Sequence, residues 1–582
     1  VASTQQLSAQ VIGRVGALAV ALGIGVAIAQ HPGVAVADDT AAASTSASNS
    51  RTADRDAGPQ SRPKRHQART QSDRADVPLR PRARLTRTSA DDAPSRPATP
   101  DASPAVWALA GAARRELGID AADSASPLGT EQQLEAEQVA AETVQTLPVK
   151  VMKRVLRKAW LRTAEQEYDG GVDAENLARL DKAVDEYAMG AAFQQQLLDP
   201  MRPTVVAQVA PPHTWYGNEV PGSRILYDNP DTIYRFTAVN KTSTYVLTGR
   251  FTGDMPADTT FSVLTGLSGT TAAVLSARDL QIDDQGRFTI TLSGDPAAPG
   301  GGNHLQLTAD STLIAVRNTL SDWNSQPPME LSVERVSGPR DSLFAQLGGF
   351  AIPVIGPAVS SSRLLTALVS VIPPMKNPPR FLRGTLTAVV MALGLSREAT
   401  YIKVATTDPQ TGERVAPNVL RDPSRNAEFL ATQLQSAGYF DISDDEALVV
   451  TVDPGNAGYF TVPVTDLWTI TGDYRNEQTS LNNAQARPNA DGTYTLVISP
   501  TDPGVENWVS TGGLNRGTLS LRFQDLDPAS PNSPTVRAVL VPLEKLPDVL
   551  PAGTPAFTAA ERAAQLARRQ TGYDVRFAPF PQ

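Results

Sequence analysis

No cysteine occurs in the 582 residues, which removes disulfides, thiolate metal sites and a cysteine nucleophile together. The fold must therefore be held by its core. Histidine is almost as scarce. Of four residues, His31 lies near an apolar leader and His66 in a low-complexity stretch, leaving His213 and His304 for any folded site. A three-histidine metal centre is excluded on that count, and no H-E-x-x-H motif occurs. A Ser-His-Asp site lacks a G-x-S-x-G elbow to present its serine. Walker A and dinucleotide fingerprints are missing too, so no cofactor and no metal are expected. Long apolar runs are also lacking. The runs at 16–29 and 386–393 both fall short of the ~18 residues of a membrane-spanning helix.

The short run at the start still carries information. Arg14 precedes it, and Ala35-Val36-Ala37 supplies an A-x-A site just before Asp38. Residues 1–37 therefore read as a secretory signal peptide, with an uncleaved anchor as the other reading. The expected location is secreted or cell-envelope associated. Residues 38–104 are dominated by Ala, Ser, Thr, Asp, Arg and Pro. Ordering such a stretch costs entropy with little burial in return, so a disordered tether is expected.

Charge is divided unevenly along the chain. Residues 51–100 hold 12 Arg or Lys against six Asp, an excess of six positive charges in a chain of net charge −9, so the rest carries −15. The tether reads first as a solvated spacer, and it also suits contact with an anionic surface such as lipid headgroups or wall polymer. Nucleic acid is not an expected partner, because no aromatic residue interleaves these arginines to stack on bases.

Beyond the tether the pattern is helical, then β, then helical, then β. Residues 105–200 read as a helical region with helices at 130–142, 149–163, 173–187 and 191–198. In the first, Thr130 and Gln133 have capping-box spacing. In the second, Met152, Leu156 and Trp160 form one row among basic residues. Residues 201–342 form a first β-rich part. Its stretches at 232–239 and 243–251 read as neighbouring, antiparallel strands, and Phe288, Ile290 and Leu292 alternate in another. Residues 343–440 form a helical insert with helices at 361–372, 381–395 and 426–437, the second expected to be buried against the β domain. Strands return over 441–550, and a helix and tail close the chain at 551–582. The expected class is mainly β with attached helices (α+β), built on an antiparallel β-sandwich or jelly-roll-like domain with a helical N-terminal region and a helical insert.

Two places concentrate recognition-type residues. His213, Trp215 and their aromatic neighbours sit on loop-like backbone, the composition of a binding surface and also of a packed junction. The second place is 502–513, where Asp502-Pro503-Gly504 makes a turn, Asn507 is suited to holding it, and Gly512-Gly513 permit special backbone geometry. Trp508 either pins this loop or stacks on a ligand ring. Arg516 suits an anion, and Tyr474 with Arg475 suits a strand end. The candidate ligand-contacting residues are therefore Trp508, Asn507, Arg516, Tyr474, Arg475, Trp215 and His213. No catalytic residue is assigned.

Asp466-Leu467-Trp468-Thr469, Asp473-Tyr474-Arg475, the 478–482 and 491–494 blocks and above all 502–513 with Arg516-Gly517-Thr518 resemble a bacterial family catalogued as domain of unknown function 1214, over residues 444–545. A weaker similarity covers 229–250, Asp322-Trp323 and 329–335. The resemblance implies an all-β, jelly-roll-like domain with helices attached and supplies no reaction, cofactor or substrate. Relatives often place a histidine near the second glycine of the motif, where this chain has Leu514-Asn515.

These features favour an exported protein that binds a glycan, lipid or cell-wall component without catalysis. A carboxylate-dependent hydrolase of an exported carbohydrate or ester is the alternative, because 61 acidic residues leave ample material for an acid–base pair. A purely structural or assembly role is the third.

Overall fold

The computed structural model describes residues 126–578 apart from Ser268, Gln410 and 426–431. The expected leader at 1–37, the tether at 38–104 and the start of the helical region at 105–125 lie outside the described residues. Three long helices come first: α1 (Glu131–Thr143), α2 (Leu147–Glu167) and α3 (Ala174–Gln196). Thr130 caps α1 by accepting from Gln133 N at 3.1 Å. The second half of the expected capping box is not made, because the Gln133 side chain turns to Glu137 and to the backbone of Ala207. In α2, Val149, Met152, Leu156, Trp160 and Ala164 face the core. Part of its basic face meets α3, where Lys153 pairs with Asp185 and Arg157 with Asp181. Helix α3 runs unbroken through the two helices expected there. Gly190 does not end it but lets another segment approach, since a Cβ at this position would lie 3.0 Å from Arg224 O.

Eleven strands follow: β1 (Val206–Gln208), β2 (His213–Trp215), β3 (Asn218–Val220), β4 (Thr232–Ala238), β5 (Thr244–Arg250), β6 (Asp258–Thr265), β7 (Thr270–Ser276), β8 (Arg287–Ser293), β9 (His304–Gln306), β10 (Ser311–Thr319) and β11 (Glu330–Ser337). The insert contains α4 (Leu343–Gln346), α5 (Ile355–Ser361), α6 (Arg363–Val369), α7 (Arg380–Ala392) and α8 (Gly394–Thr406). The second β part contains β12 (Leu434–Asp441), β13 (Glu446–Asp453), β14 (Ala457–Thr465), β15 (Ser480–Asn482), β16 (Tyr494–Ser499), β17 (Trp508–Ser510), β18 (Arg516–Leu526) and β19 (Thr535–Pro542), before α9 (Leu546–Val549) and α10 (Ala559–Asp574).

The expected antiparallel β-sandwich or jelly-roll-like domain is corrected by this arrangement. The strands make separate open sheets, ordered β1-β4-β10-β6-β7, β11-β5-β8-β9, β12-β18-β14-β15 and β17-β16-β13-β19, with β2-β3 as a small ribbon. None closes into a barrel, and β8–β9 and β16–β17 are parallel pairs at sheet edges. Helix content is substantial, and the largest apolar core is built around α1, α2, α3, α7 and α8 rather than between strands alone. Alternation along a strand gives the face that is buried, but it does not name the strand's partner. Thus β4 and β5, expected to pair as neighbours, belong to different sheets. Asn240 turns the chain from one sheet to the other, accepting from Thr242 N at 2.8 Å while its own N–H donates to the Tyr245 hydroxyl at 3.0 Å.

Three further differences fall in the insert. The helix expected at 361–372 is shortened to α6, because Ser362 is extended at φ −122° and separates it from α5, and Ser362 Oγ then caps α6 through Leu365 N. Helix α7 packs on α2 and α3, not on a β domain. The helix expected at 426–437 lies partly outside the described residues, and from Leu434 onward the chain is β12, paired along its length with β18. Among the described residues no helix is long and apolar enough to cross a membrane.

Candidate functional site

The Trp508 turn is tied down on every side. Asp502 Oδ1 accepts from Gly504 N at 2.9 Å, and Gly504 has φ +73°, a conformation glycine reaches without a Cβ clash. Pro503 sits between them. Asn507 Nδ2 donates to Arg487 O and Thr495 O at 2.8 and 3.0 Å, and its Oδ1 accepts from Arg487 N at 2.8 Å. Trp508 Nε1 donates to Ser499 Oγ at 3.0 Å, and the Arg562 guanidinium of α10 covers its ring 5.0 Å from the centroid. The same guanidinium holds Asp502 through Nε at 3.0 Å and Nη2 at 3.3 Å, and donates to the carbonyls of Val505 and Glu506. This forked, charge-assisted clamp is a geometry that only arginine supplies.

The other expected ligand contacts are spent on structure as well. Arg516 donates to the carbonyls of Asp169 and Gly171 and pairs with Asp441 at 3.3 Å. Arg475 grips Asp574 at 2.6 and 2.8 Å. Tyr474 is buried and accepts from Arg224 Nη1 at 3.4 Å. Gly512 and Gly513, both at positive φ, make the bend after β17, where Arg179 donates to Gly512 O at 3.0 Å. These residues do not converge on one site.

A cleft of about 160 Å³ opens beside the turn, between 487–490, β16, Val505 to Asn507 and 550–555. Val497 and Val505 are buried beneath its floor, and Leu550 is half-buried at its lining. Arg487 and Glu506, with Nη1 and Oε2 3.5 Å apart, supply its charged pair. Asn507 lines the cleft but is spent holding its wall, and Trp508 is not among the lining residues. The sequence reading missed Arg487, Glu506 and Arg562.

His213 and Trp215 are brought together elsewhere, with a partner the sequence did not single out. They line a chamber of about 30 Å³ with Glu137 of α1, Phe193 and Phe577. That volume suits one or two water-sized groups, not a sugar ring. Glu137 Oε2 accepts from Trp215 Nε1 and Oε1 from Gln133 Nε2, both at 2.9 Å. His213 Nδ1 lies 2.9 Å from Pro211 O, an acceptor that fixes the ring proton on Nδ1. Its Nε2 is buried without a hydrogen-bond partner, 3.9 Å from Glu137 Oε1. The two are not an ion pair at intermediate pH. Burial pushes the Glu137 carboxyl up to about 7 and the His213 imidazole down to about 4, so between those values both are neutral.

Other buried acids form the seams between layers. Asp228 holds Arg224 at 3.0 Å and accepts from Thr471 Oγ1, and Asp231 accepts from Tyr459 OH at 2.6 Å and Trp323 Nε1 at 2.9 Å. Burial pushes Asp466 up to about 7 even though the Trp468 and Ile470 N–H groups donate to it. Glu398 on α8 is more extreme: it is fully buried, neither oxygen has a hydrogen-bond partner, and burial followed by the nearby Asp466 holds its pKa well above the usual carboxylate range. A folded pKa raised above 4.5 gives a contribution that is fully present below pH 4.5 and lost as pH rises. Glu398→Met, close in shape, is therefore expected to raise stability by about 1–3 kcal/mol at pH 8, and by less at pH 4. Urea unfolding at the two pH values checks both the gain and its pH dependence.

No family model and no curated protein matches the chain, so the resemblance to domain of unknown function 1214 gains no support from that side. Among solved structures, the chain is similar to an uncharacterized protein from Burkholderia cenocepacia at 22% identity and a TM-score of 0.50, covering 71% of this chain and 99% of that one. A protein from Vibrio parahaemolyticus aligns at 12% identity and a TM-score of 0.29, over 54% of this chain and 90% of that one. The Burkholderia likeness shows the fold alone: this chain shares its architecture with a protein of uncharacterized role.

Proposed function

We propose that the chain is an exported, envelope-associated protein that binds a wall glycan without cleaving it, in the cleft beside the Trp508 turn. The observation that carries this reading is the cleft's construction. Its walls are fixed in advance by Asn507 and by the Arg562–Asp502 clamp, which lowers the ordering cost of binding. Arg487 and Glu506 form a donor and acceptor pair suited to neighbouring hydroxyls. Leu550 suits the C–H face of a ring. Export is supported by the apolar run and A-x-A site near the start of the sequence. Binding is favoured over hydrolysis because paired-carboxylate chemistry needs two facing acids. The cleft lining holds one, Glu506, and none of the acids raised by burial, Asp258 and Glu477 included, lines the cleft.

Isothermal titration of the full chain with soluble peptidoglycan fragments tests the reading. Saturable binding is expected, weakened at least tenfold, or about 1.4 kcal/mol, by Arg487→Ala and by Glu506→Gln. The absence of saturable heat, or the release of reducing ends during incubation, contradicts it.

A further inference from the structure

Residues 342–397 contain no Asp and no Glu but five Arg or Lys, in a chain whose net charge is −9. The same segment holds an unusual share of exposed apolar surface. Half of the exposed large hydrophobic side chains among the described residues lie between 354 and 395. Singly scattered exposed apolar residues need no explanation, but a concentration of them marks a surface that meets something.

Local structure explains why they point outward. The break at Ser362 leaves α6 only seven residues long. Thr366 Oγ1 anchors its inner side on Val359 O at 2.8 Å, and Val369 packs on a small core with Phe350 and Val359. Leu364 and Leu368 then fall one turn apart on the opposite side, and the exposed Val371 and Ile372 follow just past the helix end. Leu364 is 78% exposed and Val371 72%. Nearby, Val354 is 82% exposed and has φ +67°. A β-branched residue rarely tolerates that backbone, and observed strain of this kind concentrates where a segment has a task. The turn around it is closed tightly, since a Cβ on Gly356 would lie 2.0 Å from Phe350 O.

Charge identifies what covers this edge. Arg363 and Lys376 are exposed beside the apolar row, and neither has a carboxylate partner among the described residues, whereas Arg380 is paired with Glu142. A second copy is a poor occupant, because a two-fold contact would place two acid-free, basic segments against each other. An anionic bilayer fits both features: acyl chains take the apolar row and headgroup phosphates take the cations. The helices here are too short to span a membrane, so the contact lies in the interface. We propose that residues 354–381 form a membrane-docking edge, with Leu364, Leu368, Val371, Ile372 and Phe381 entering an anionic lipid interface and Arg363 and Lys376 at its phosphates. This inference is independent of the glycan cleft, whose residues it does not use.

The lack of cysteine makes the test specific to one position. Leu368→Cys in the full chain, labelled with an environment-sensitive fluorophore, is mixed with vesicles of phosphatidylglycerol and phosphatidylcholine or of phosphatidylcholine alone, and Asp284→Cys on an exposed turn serves as control. A blue shift at position 368 with the anionic vesicles only, with none at 284, is expected. Arg363→Gln with Lys376→Gln is expected to weaken the vesicle affinity read at 368 by about thirtyfold. Reading the label rather than total binding separates this edge from the basic tether. An unshifted label at 368, an affinity unchanged by removing the two charges, or a shift produced by raising protein concentration without vesicles overturns the proposal.

Discussion

Replacing Arg562 with alanine is expected to destabilise the protein by about 1–3 kcal/mol and to abolish binding in the cleft. The guanidinium is buried and meets six groups at once: the Asp502 carboxylate, the carbonyls of Val505 and Glu506, the Gln565 side-chain oxygen, and the faces of Trp508 and Phe557, the last at 4.7 Å. Truncation removes a donor from the partly exposed Asp502 and from both carbonyls, of which Asp502 keeps Gly504 N and Glu506 keeps Gln565 Nε2, and the cost of an abandoned buried polar group exceeds the net worth of the bond that satisfied it. The turn carrying Val505 to Asn507 is one wall of the cleft, so loosening it removes the site without touching Arg487. Arg562→Lys keeps the charge but not the fork, and is expected to recover only a minor part of the loss. Asp502→Asn keeps the shape and is expected to cost less than Arg562→Ala. Guanidinium unfolding followed by tryptophan fluorescence ranks the three; equal stability of Arg562→Ala and the parent means that the turn is held by something else.

The chamber around His213 is expected to hide two opposite pH dependences that single substitutions expose. The folded pKa of Glu137 is raised, so its contribution is fully present below about pH 4.5 and is lost as pH rises through about 7. The folded pKa of His213 is depressed, so its contribution is present above about 6.5 and is lost as pH falls through about 4. Each amounts to about 3 kcal/mol at 1.36 kcal/mol per pH unit, and over most of the shared window the two slopes cancel. Glu137→Gln removes one partner and is expected to leave stability rising with pH by about 3 kcal/mol between pH 4 and 6.5. His213→Phe preserves the ring packing on Trp215 and Phe577 and is expected to leave stability falling by a similar amount between pH 4.5 and 7. Denaturant titrations across pH 4 to 8 read both slopes directly. Parallel, flat profiles in the two variants contradict the assignment of neutral partners.

The sequence made some of this legible and withheld the rest for physical reasons. Phe288, Ile290 and Leu292 announce β8 because one face of that strand is buried. Partner choice is not local. β4 is buried along its whole length and carries no clean alternation, so nothing in its residues separates pairing with β5 from pairing with β1 and β10. At 434–437 pairing with β18 overrides a helical pattern, as tertiary context commonly overrides propensity. The candidate site divides in the same way. Asp502, Asn507 and Trp508 are visible as a turn from spacing alone, but the residue that closes it, Arg562, lies 60 positions away on another element. His213 and Trp215 stand out by composition, whereas Glu137 is one of many helical glutamates until α1 packs it onto β2. A buried acid has no signature in sequence, because burial belongs to the fold.

Hydrogen–deuterium exchange of the full chain, with and without soluble peptidoglycan fragments, separates the cleft from every other surface in one experiment. Slower exchange confined to peptides spanning 487–497 and 550–555 is expected if rigid walls beside the clamped tryptophan bend receive a sugar. Slowing centred on 207–221 instead, or no change anywhere at saturating fragment, contradicts that placement.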